Sequence, residues 1–205
     1  MEAFTVLKSR GVAVLLDDID TDMLFPAQYC KTLETTGLGK YLFARERFPE
    51  YNPDYVKFPL NRPEHAGAQV LVSGRNFGCG SSREHAVWAL RDYGFRCIVA
   101  ESFSDILYAN CFKNGMLPVV LPRETVDDLA RLTQAAPDAV FTIDLYEQTV
   151  TAGDLGPFRF SIEPHRRHML LKGLDEVGLT LAQAQAIETF EKSHFASQPW
   201  LLRAG

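Results

Sequence analysis

Ser81, Ser82 and Arg83 stand side by side in the run Asn76-Phe77-Gly78-Cys79-Gly80-Ser81-Ser82-Arg83-Glu84-His85-Ala86. A guanidinium can hold a carboxylate or phosphate by two parallel hydrogen bonds, and hydroxyls beside it can bond the same ligand. A serine ionised in that setting is a strong base, provided nearby amide dipoles and Arg83 lower its very high pKa. Gly78 and Gly80 permit positive φ and close approach of backbone. The first N–H groups of a helix have no internal partner, so a glycine-rich turn leading into a helix is also a ready anion site. A capped helix with an exposed arginine is the plain alternative, and the density of Gly-x-Gly-Ser-Ser-Arg-Glu-His favours chemistry.

Other residues invite chemistry less strongly. Asp17, Asp18, Asp20 and Asp22 crowd one turn. An EF-hand loop needs glycine at its sixth position and glutamate at its twelfth, where Asp22 and Gln28 stand, so turn and cap hydrogen bonds are expected instead. Cys79 sits where a helix N-terminus would lower a thiol pKa, and His85 could then serve as its base. A small loop residue and a packed histidine are the simpler readings. Arg166, Arg167 and His168 suit either a ligand or a solvated helix start, and Lys113 and Asn114 a helix end.

These side chains need elements to position them. The apolar run 69–73 reads as a buried strand, and 84–91 as a helix ended by Gly94. Ser81 or Ser82 is expected to cap that helix, with Glu84 placed as in a capping box. Residues 12–16, 96–100 and 117–121 read as further strands. Ser102 is expected to cap a helix over 103–114, closed by Gly115, and 125–135 is an amphipathic helix. Alternation of strand and helix implies a parallel or mixed α/β arrangement. Residues 25–30 read as extended or a short turn, and 35–39 as a loop leading to a short helix through 43. Pro49, Pro53, Pro59 and Pro63 make 48–67 an irregular surface excursion. After 137 the period changes: 140–145, 149–151 and 158–162 read as antiparallel β. Helices over 165–174 and 181–195 and a loose tail over 197–205 complete a single domain, 1–205.

The 205 residues are 46% apolar and carry a net charge of −5, which suits one globular domain and argues against nucleic acid as main partner. The start, 1–5, lacks a signal peptide pattern, and no apolar run approaches the ~18 residues that span a bilayer. A cytoplasmic protein without membrane attachment is expected. Cys30, Cys79, Cys97 and Cys111 form no C-x-x-C pair, so free thiols are expected and neither a zinc nor a self-contained iron–sulfur site is suggested.

The loop from Gly78 to Ala86 resembles a signature of the swivelling domain of aconitase-type hydro-lyases. The stretches 18–22, 102–106, 110–115 and 160–179 resemble its other signatures, so the likeness covers nearly the whole chain. The free-standing size resembles the small-subunit branch, that of bacterial 3-isopropylmalate dehydratases of leucine biosynthesis. The resemblance implies a swivelling β/β/α domain: a mixed sheet with flanking helices and a C-terminal antiparallel β and helical part. It implies that no cofactor is bound by this chain, and that a [4Fe-4S] cluster sits on a large-subunit partner. Ser81 matches the base, Ser82 and Arg83 match substrate-binding residues, and Tyr29, Cys30, Lys31 and Thr32 begin the loop that sorts small dicarboxylate substrates. Asp20, Thr21, Asp22, Asn76, Gly78, Gly80 and His85 are expected to support them. Cys30 is smaller than the leucine expected there, which leaves relatives acting on citramalate, citraconate, dimethylmalate or homoaconitate as alternatives. A phosphate- or nucleotide-binding module is the alternative of another class. It is weakened by the missing P-loop lysine and the missing third glycine of the dinucleotide fingerprint. A non-catalytic scaffold is the third.

Overall fold

A computed structural model of the chain describes residues 1–31 and 34–201. Val6–Val14 forms the first strand, β1, which starts well before the expected residue 12. Its first half is exposed or half-buried and its second half buried, so only the second half reads as an apolar run. Thr21–Leu24 (α1) and Ala44–Arg47 (α2) are single helical turns. Between them Ala27–Tyr29 and Gly39–Tyr41 are 3-10 turns. The proline-rich excursion is a chain of three further 3-10 turns, Tyr55–Lys57, Pro59–Asn61 and Pro63–His65.

Val70–Ser73 (β2), His85–Tyr93 (α3), Cys97–Ala100 (β3), Asp105–Lys113 (α4), Leu117–Val120 (β4) and Arg123–Ala135 (α5) then alternate as expected. Gly94 ends α3 with φ 119°, a left-handed value that glycine adopts without strain. Val140–Asp144 (β5), Thr149–Ala152 (β6) and Leu155–Arg159 (β7) form the antiparallel part. The last of these lies three residues earlier than the expected 158–162 at each end. Pro164–Lys172 (α6) follows; Glu176–Leu181 (α7) is a further short helix, not among those expected, and the helix expected over 181–195 is Ala184–Ser197 (α8). Of the expected loose tail, Ser197 ends α8, Gln198 caps it and Pro199–Leu201 makes one 3-10 turn, while 202–205 lie outside the described residues.

One mixed sheet runs in the order β4-β3-β2-β1-β5-β6-β7. β1 joins its two halves. Val6 to Arg10 pair antiparallel with β5, and Gly11 to Val14 pair parallel with β2. Gly11 stands at that change of partner, where a Cβ would come 2.5 Å from the Phe141 ring. The parallel strands are covered on both faces, as such strands require. Val12, Val14, Leu71 and Ile98 pack under α3 and the excursion, while Ala13, Val70, Val72 and Val99 pack under α5. The loops that leave the carboxyl ends of β1, β2 and β3 therefore emerge together, where open α/β sheets bind ligands.

Candidate active site

Backbone pairing continues past the strand ends and fixes those three loops to one another. Gly78 N–H donates to Ile19 O at 2.7 Å and Thr21 N–H to Cys79 O at 2.9 Å. On the other side, Phe77 N–H donates to Ser102 O at 2.9 Å and Ser104 N–H to Phe77 O at 3.0 Å. The Ser104 hydroxyl donates to Gly78 O at 2.6 Å, and the Asn76 amide donates to the Ser102 hydroxyl at 2.8 Å. At Gly78 (φ +75°) a Cβ would run into Leu107, and at Gly80 (φ +93°) it would only touch Thr21 and Asp20. The expected positive φ is present at both.

Helix caps differ from expectation. Helix α3 begins at His85, and no side chain caps it. Ser81 and Ser82 lie in the loop before it, because the Ser81 amide is already taken by Thr21 and the Glu84 carboxylate reaches Asn114 instead. Ser104 rather than Ser102 caps α4, since Ser102 is engaged by Asn76. The acidic turn does carry the expected cap and turn bonds. Asp20 caps α1 through Met23 N–H at 2.6 Å. Asp22 accepts from Ala27 N–H at 2.9 Å, Asp17 from Arg75 N–H at 2.9 Å, and Asp18 from the side-chain amide Nδ2 of Asn76 at 2.7 Å.

This framework converges on Ser81. Its Oγ lies 2.8 Å from Arg83 Nε and 3.0 Å from Thr21 Oγ1. Thr21 Oγ1 also accepts the Ser81 amide at 3.1 Å. With that acceptance made, the Thr21 hydroxyl proton can turn toward Ser81 Oγ. Two donors then face the oxygen, and donors to the charged form lower a pKa. Thr21 itself is buried, whereas Ser81 and Ser82 are exposed.

Arg83 is in turn held by Asp22, whose Oδ1 lies 3.2 Å from its Nη1, and by Cys30, whose sulfur lies 3.9 Å away. Burial works against the Arg83 charge, but the Cys30 thiol and the Asp22 carboxylate outweigh it and raise its pKa. Asp22 also meets Arg45 at 2.8 Å. The Ala27 amide, then Arg83 and Arg45, hold the Asp22 carboxyl below its usual range against partial burial. No pattern in the sequence marks Arg45: it sits on a four-residue helix with no motif around it.

Tyr29 stacks on Tyr41 at 4.2 Å, beside Phe25. His85 stacks on Phe25 at 5.9 Å and tilts against Trp88 at 4.9 Å, which makes it a packed histidine. Lys31 is exposed, and Thr32 lies outside the described residues. Arg166 lies over the rings of Tyr108 and Phe112, and Arg167 donates to the Leu145 and Tyr146 carbonyls, so both tie α6 to the body. Lys113 pairs with Glu176 at 3.0 Å.

The Cys79 thiol does not have the lowered pKa that a nucleophile at a helix N-terminus would need. Burial, then Asp20 and Asp18, push its thiol up rather than down, and its sulfur donates to Asp18 O at 3.4 Å. The thiol-nucleophile reading loses its basis. Nor do the cysteines suit an iron–sulfur cluster. Burial pushes Cys111 up to about 12 and Cys97 up as well, where thiolates are required, and Cys30 and Cys79 face different partners. Among the described residues no group of His, Cys, Asp or Glu has a metal-holding arrangement.

The reactive face is open. A cleft of about 380 Å³ lies elsewhere, between the end of β1 and the excursion, lined by Leu16, Phe58 and Pro59. No helix among the described residues is long and apolar enough to cross a membrane.

Residues 1–124 match the model of the aconitase C-terminal domain, and 176–204 match that of the C-terminal domain of the 3-isopropylmalate dehydratase small subunit. Curated proteins named 3-isopropylmalate dehydratase small subunit align along almost the whole chain. The one from Agrobacterium fabrum is 49% identical over 203 residues, covering 98% of this chain and 100% of its own. The one from Paracoccus denitrificans is 48% identical over 204 residues, with the same coverage. The chain belongs to the 3-isopropylmalate dehydratase small-subunit family. A crystal structure of 3-isopropylmalate dehydratase from Methanocaldococcus jannaschii is also similar, with a TM-score of 0.64 and 26% identity. That likeness covers 91% of this chain and 99% of the archaeal one. The family's domain is the mixed, helix-flanked sheet described above.

Proposed function

We propose that this chain is the small subunit of a 3-isopropylmalate dehydratase. In this role it interconverts 2-isopropylmalate and 3-isopropylmalate by dehydration and rehydration in leucine biosynthesis, in the cytoplasm. The observation that carries the reading is the exposed Ser81 Oγ, flanked by Arg83 Nε at 2.8 Å and Thr21 Oγ1 at 3.0 Å. Isomerisation of this kind begins with removal of a weakly acidic proton α to a carboxylate, which demands a strong base. Ser81, as alkoxide, takes that proton and returns it on rehydration. Arg83 and the Thr21 hydroxyl stabilise the alkoxide before the proton is taken and after it is returned. Ser82 and the outer edge of Arg83 bind a substrate carboxylate, while Asp22 keeps the guanidinium oriented. Tyr29, Cys30 and Lys31 border the same face and contact the substrate side chain.

The centre is shared with a large-subunit partner. The [4Fe-4S] cluster held there would act as Lewis acid on the substrate hydroxyl and carboxylate. This chain's own thiols do not suit that cluster, in keeping with a cluster held by the partner.

The test is anaerobic co-expression with the large subunit, followed by hydration of a panel of unsaturated diacids. Turnover of the isopropyl substrate is expected. Preference for citraconate, or for the dimethylmalate or homoaconitate series, would assign the chain to the alternative substrates that Cys30 leaves open. Ser81→Ala is expected to lower kcat by roughly 10²–10⁴-fold with the complex still assembled. Undiminished turnover in that variant removes Ser81 from the chemistry.

A further inference from the structure

Helices α7 and α8 carry apolar side chains that the described part of the fold leaves uncovered. Neither helix has a buried residue among the described residues. Val177, Leu181, Ile187, Phe190, Trp200 and Leu201 are all exposed, Phe190 at 64% and Trp200 at 66%. Their spacing is helical: Leu181 follows Val177 by four residues, and Phe190 follows Ile187 by three, so each pair shares a helix face. Two ion pairs lie nearby, Glu188 with Lys192 at 2.6 Å and Glu176 with Lys113 at 3.0 Å. Exposed apolar side chains sharing helix faces mark an interaction site, and exposed aromatic anchors supply most of the energy in such sites.

We infer that this arm, residues 176–201, docks on the cluster-bearing large subunit, through an apolar groove that receives Ile187 and Phe190. The inference rests on the function proposed above. Three observations favour this occupant. The aconitase domain model ends at residue 124, while the arm coincides with the model specific to small subunits, at 176–204. The arm therefore belongs to chains in which the domain stands free, and a domain with no covalent link must hold its partner by surface alone. The reactive face is open at Ser81 and Ser82, so a second chain has to close over it. Finally, the arm and the reactive loop hang from opposite ends of α4. Ser104, at its start, binds Gly78 O, and Lys113, its last residue, binds Glu176. Those nine residues span about 13 Å, within the reach of one partner surface.

The experiment titrates the anaerobic large subunit with the full chain, wild type or carrying Ile187→Asp with Phe190→Asp. Kd is read by calorimetry and kcat at saturating large subunit. The double variant is expected to weaken Kd by at least about tenfold while kcat at saturation stays within about twofold. Kd within twofold of wild type overturns the proposal. If circular dichroism shows the aspartate pair melting α8, Ile187→Ser with Phe190→Ser decides on the same criterion. Light scattering on the chain alone tests the other occupant: a dimer that the variants abolish, with an unchanged Kd for the large subunit, overturns the inference. A wild-type pair that binds without turning over any diacid refutes the proposed function instead, and leaves the Kd comparison to decide the arm.

Discussion

The loop from Asn76 to Arg83 and the arm from Glu176 to Leu201 are built on opposite principles. The loop has almost no regular structure of its own, yet Gly78, Cys79, Ser81 and Arg83 are each held by a neighbour from another segment. Backbone bonds to the loops after β1 and β3 fix it on both sides. The arm is nearly all helix, satisfies its own backbone, and meets the body chiefly through Glu176 and Lys113. A group that must present one oxygen to a reacting carbon needs the first arrangement, because errors of an ångström are costly there. A surface that must find a partner needs only a stable shape and apolar anchors. Rigidity is thus invested where chemistry is done, and regular structure alone does not mark it.

Substitutions that strain the loop should cost most. At Gly78 an added Cβ would approach Leu107 Cδ1 to 2.2 Å and Leu107 Cβ to 2.8 Å, with φ at +75°. A left-handed alanine costs about 1–2 kcal/mol and overpacking about 1–3 kcal/mol. Gly78→Ala should therefore destabilise the chain by about 2–5 kcal/mol in urea unfolding. A double-mutant cycle with Leu107→Ala should recover part of that loss, and strict additivity would place the strain elsewhere. Thr21→Val should act more gently and on a different quantity. It keeps the buried shape but removes the hydroxyl 3.0 Å from Ser81. Loss of one hydrogen bond to a charged oxygen is worth about 1.5–3 kcal/mol, so kcat of the assembled enzyme should fall about 10- to 100-fold. The rising limb of its pH–rate profile should move to higher pH, because the serine becomes harder to ionise. A fall in kcat without that movement would show Thr21 to be only a packing residue.

Much of the parallel half was legible because its strands are continuous apolar runs bounded by glycine and polar turns. Positions 70–73 and 97–100 needed no tertiary information. The first half of β1 was hidden since its antiparallel pairing tolerates the polar run Lys8, Ser9 and Arg10, exposed at Lys8 and half-buried at the other two. Ser81, Ser82 and Arg83 were legible as a type of chemistry from residue identity alone. What they bond was not: Thr21 is sixty positions from Ser81 and Asp22 sixty-one from Arg83, contacts that only the sheet order creates. The caps failed for a related reason. Ser81 and Ser102 have the right spacing to helices, but each is claimed by another segment, and local pattern carries no information about such competition. Cys79 shows the same limit in electrostatics: without the positions of Asp18 and Asp20 its thiol shift takes the wrong sign.

The arm offers the smallest expected effect, and a diagnostic one. Phe190 is 64% exposed, so the isolated chain gains little by keeping it. Surface substitutions away from caps and cores change stability by no more than about 0.5 kcal/mol, so Phe190→Ala should leave the urea midpoint of the isolated chain almost unmoved. Among the described residues, the stacking of Phe190 on His194, at 5.2 Å, is the only ring contact that the substitution deletes, and it lies within the same helix. A loss near the 3–5 kcal/mol typical of a buried phenylalanine would mean that the arm packs against the body or a second copy in solution. The contrast between the two regions would then disappear, because the arm too would be part of a core. An unmoved midpoint sharpens it: a large apolar side chain that adds nothing to the fold of its own chain has its energetic role in an association.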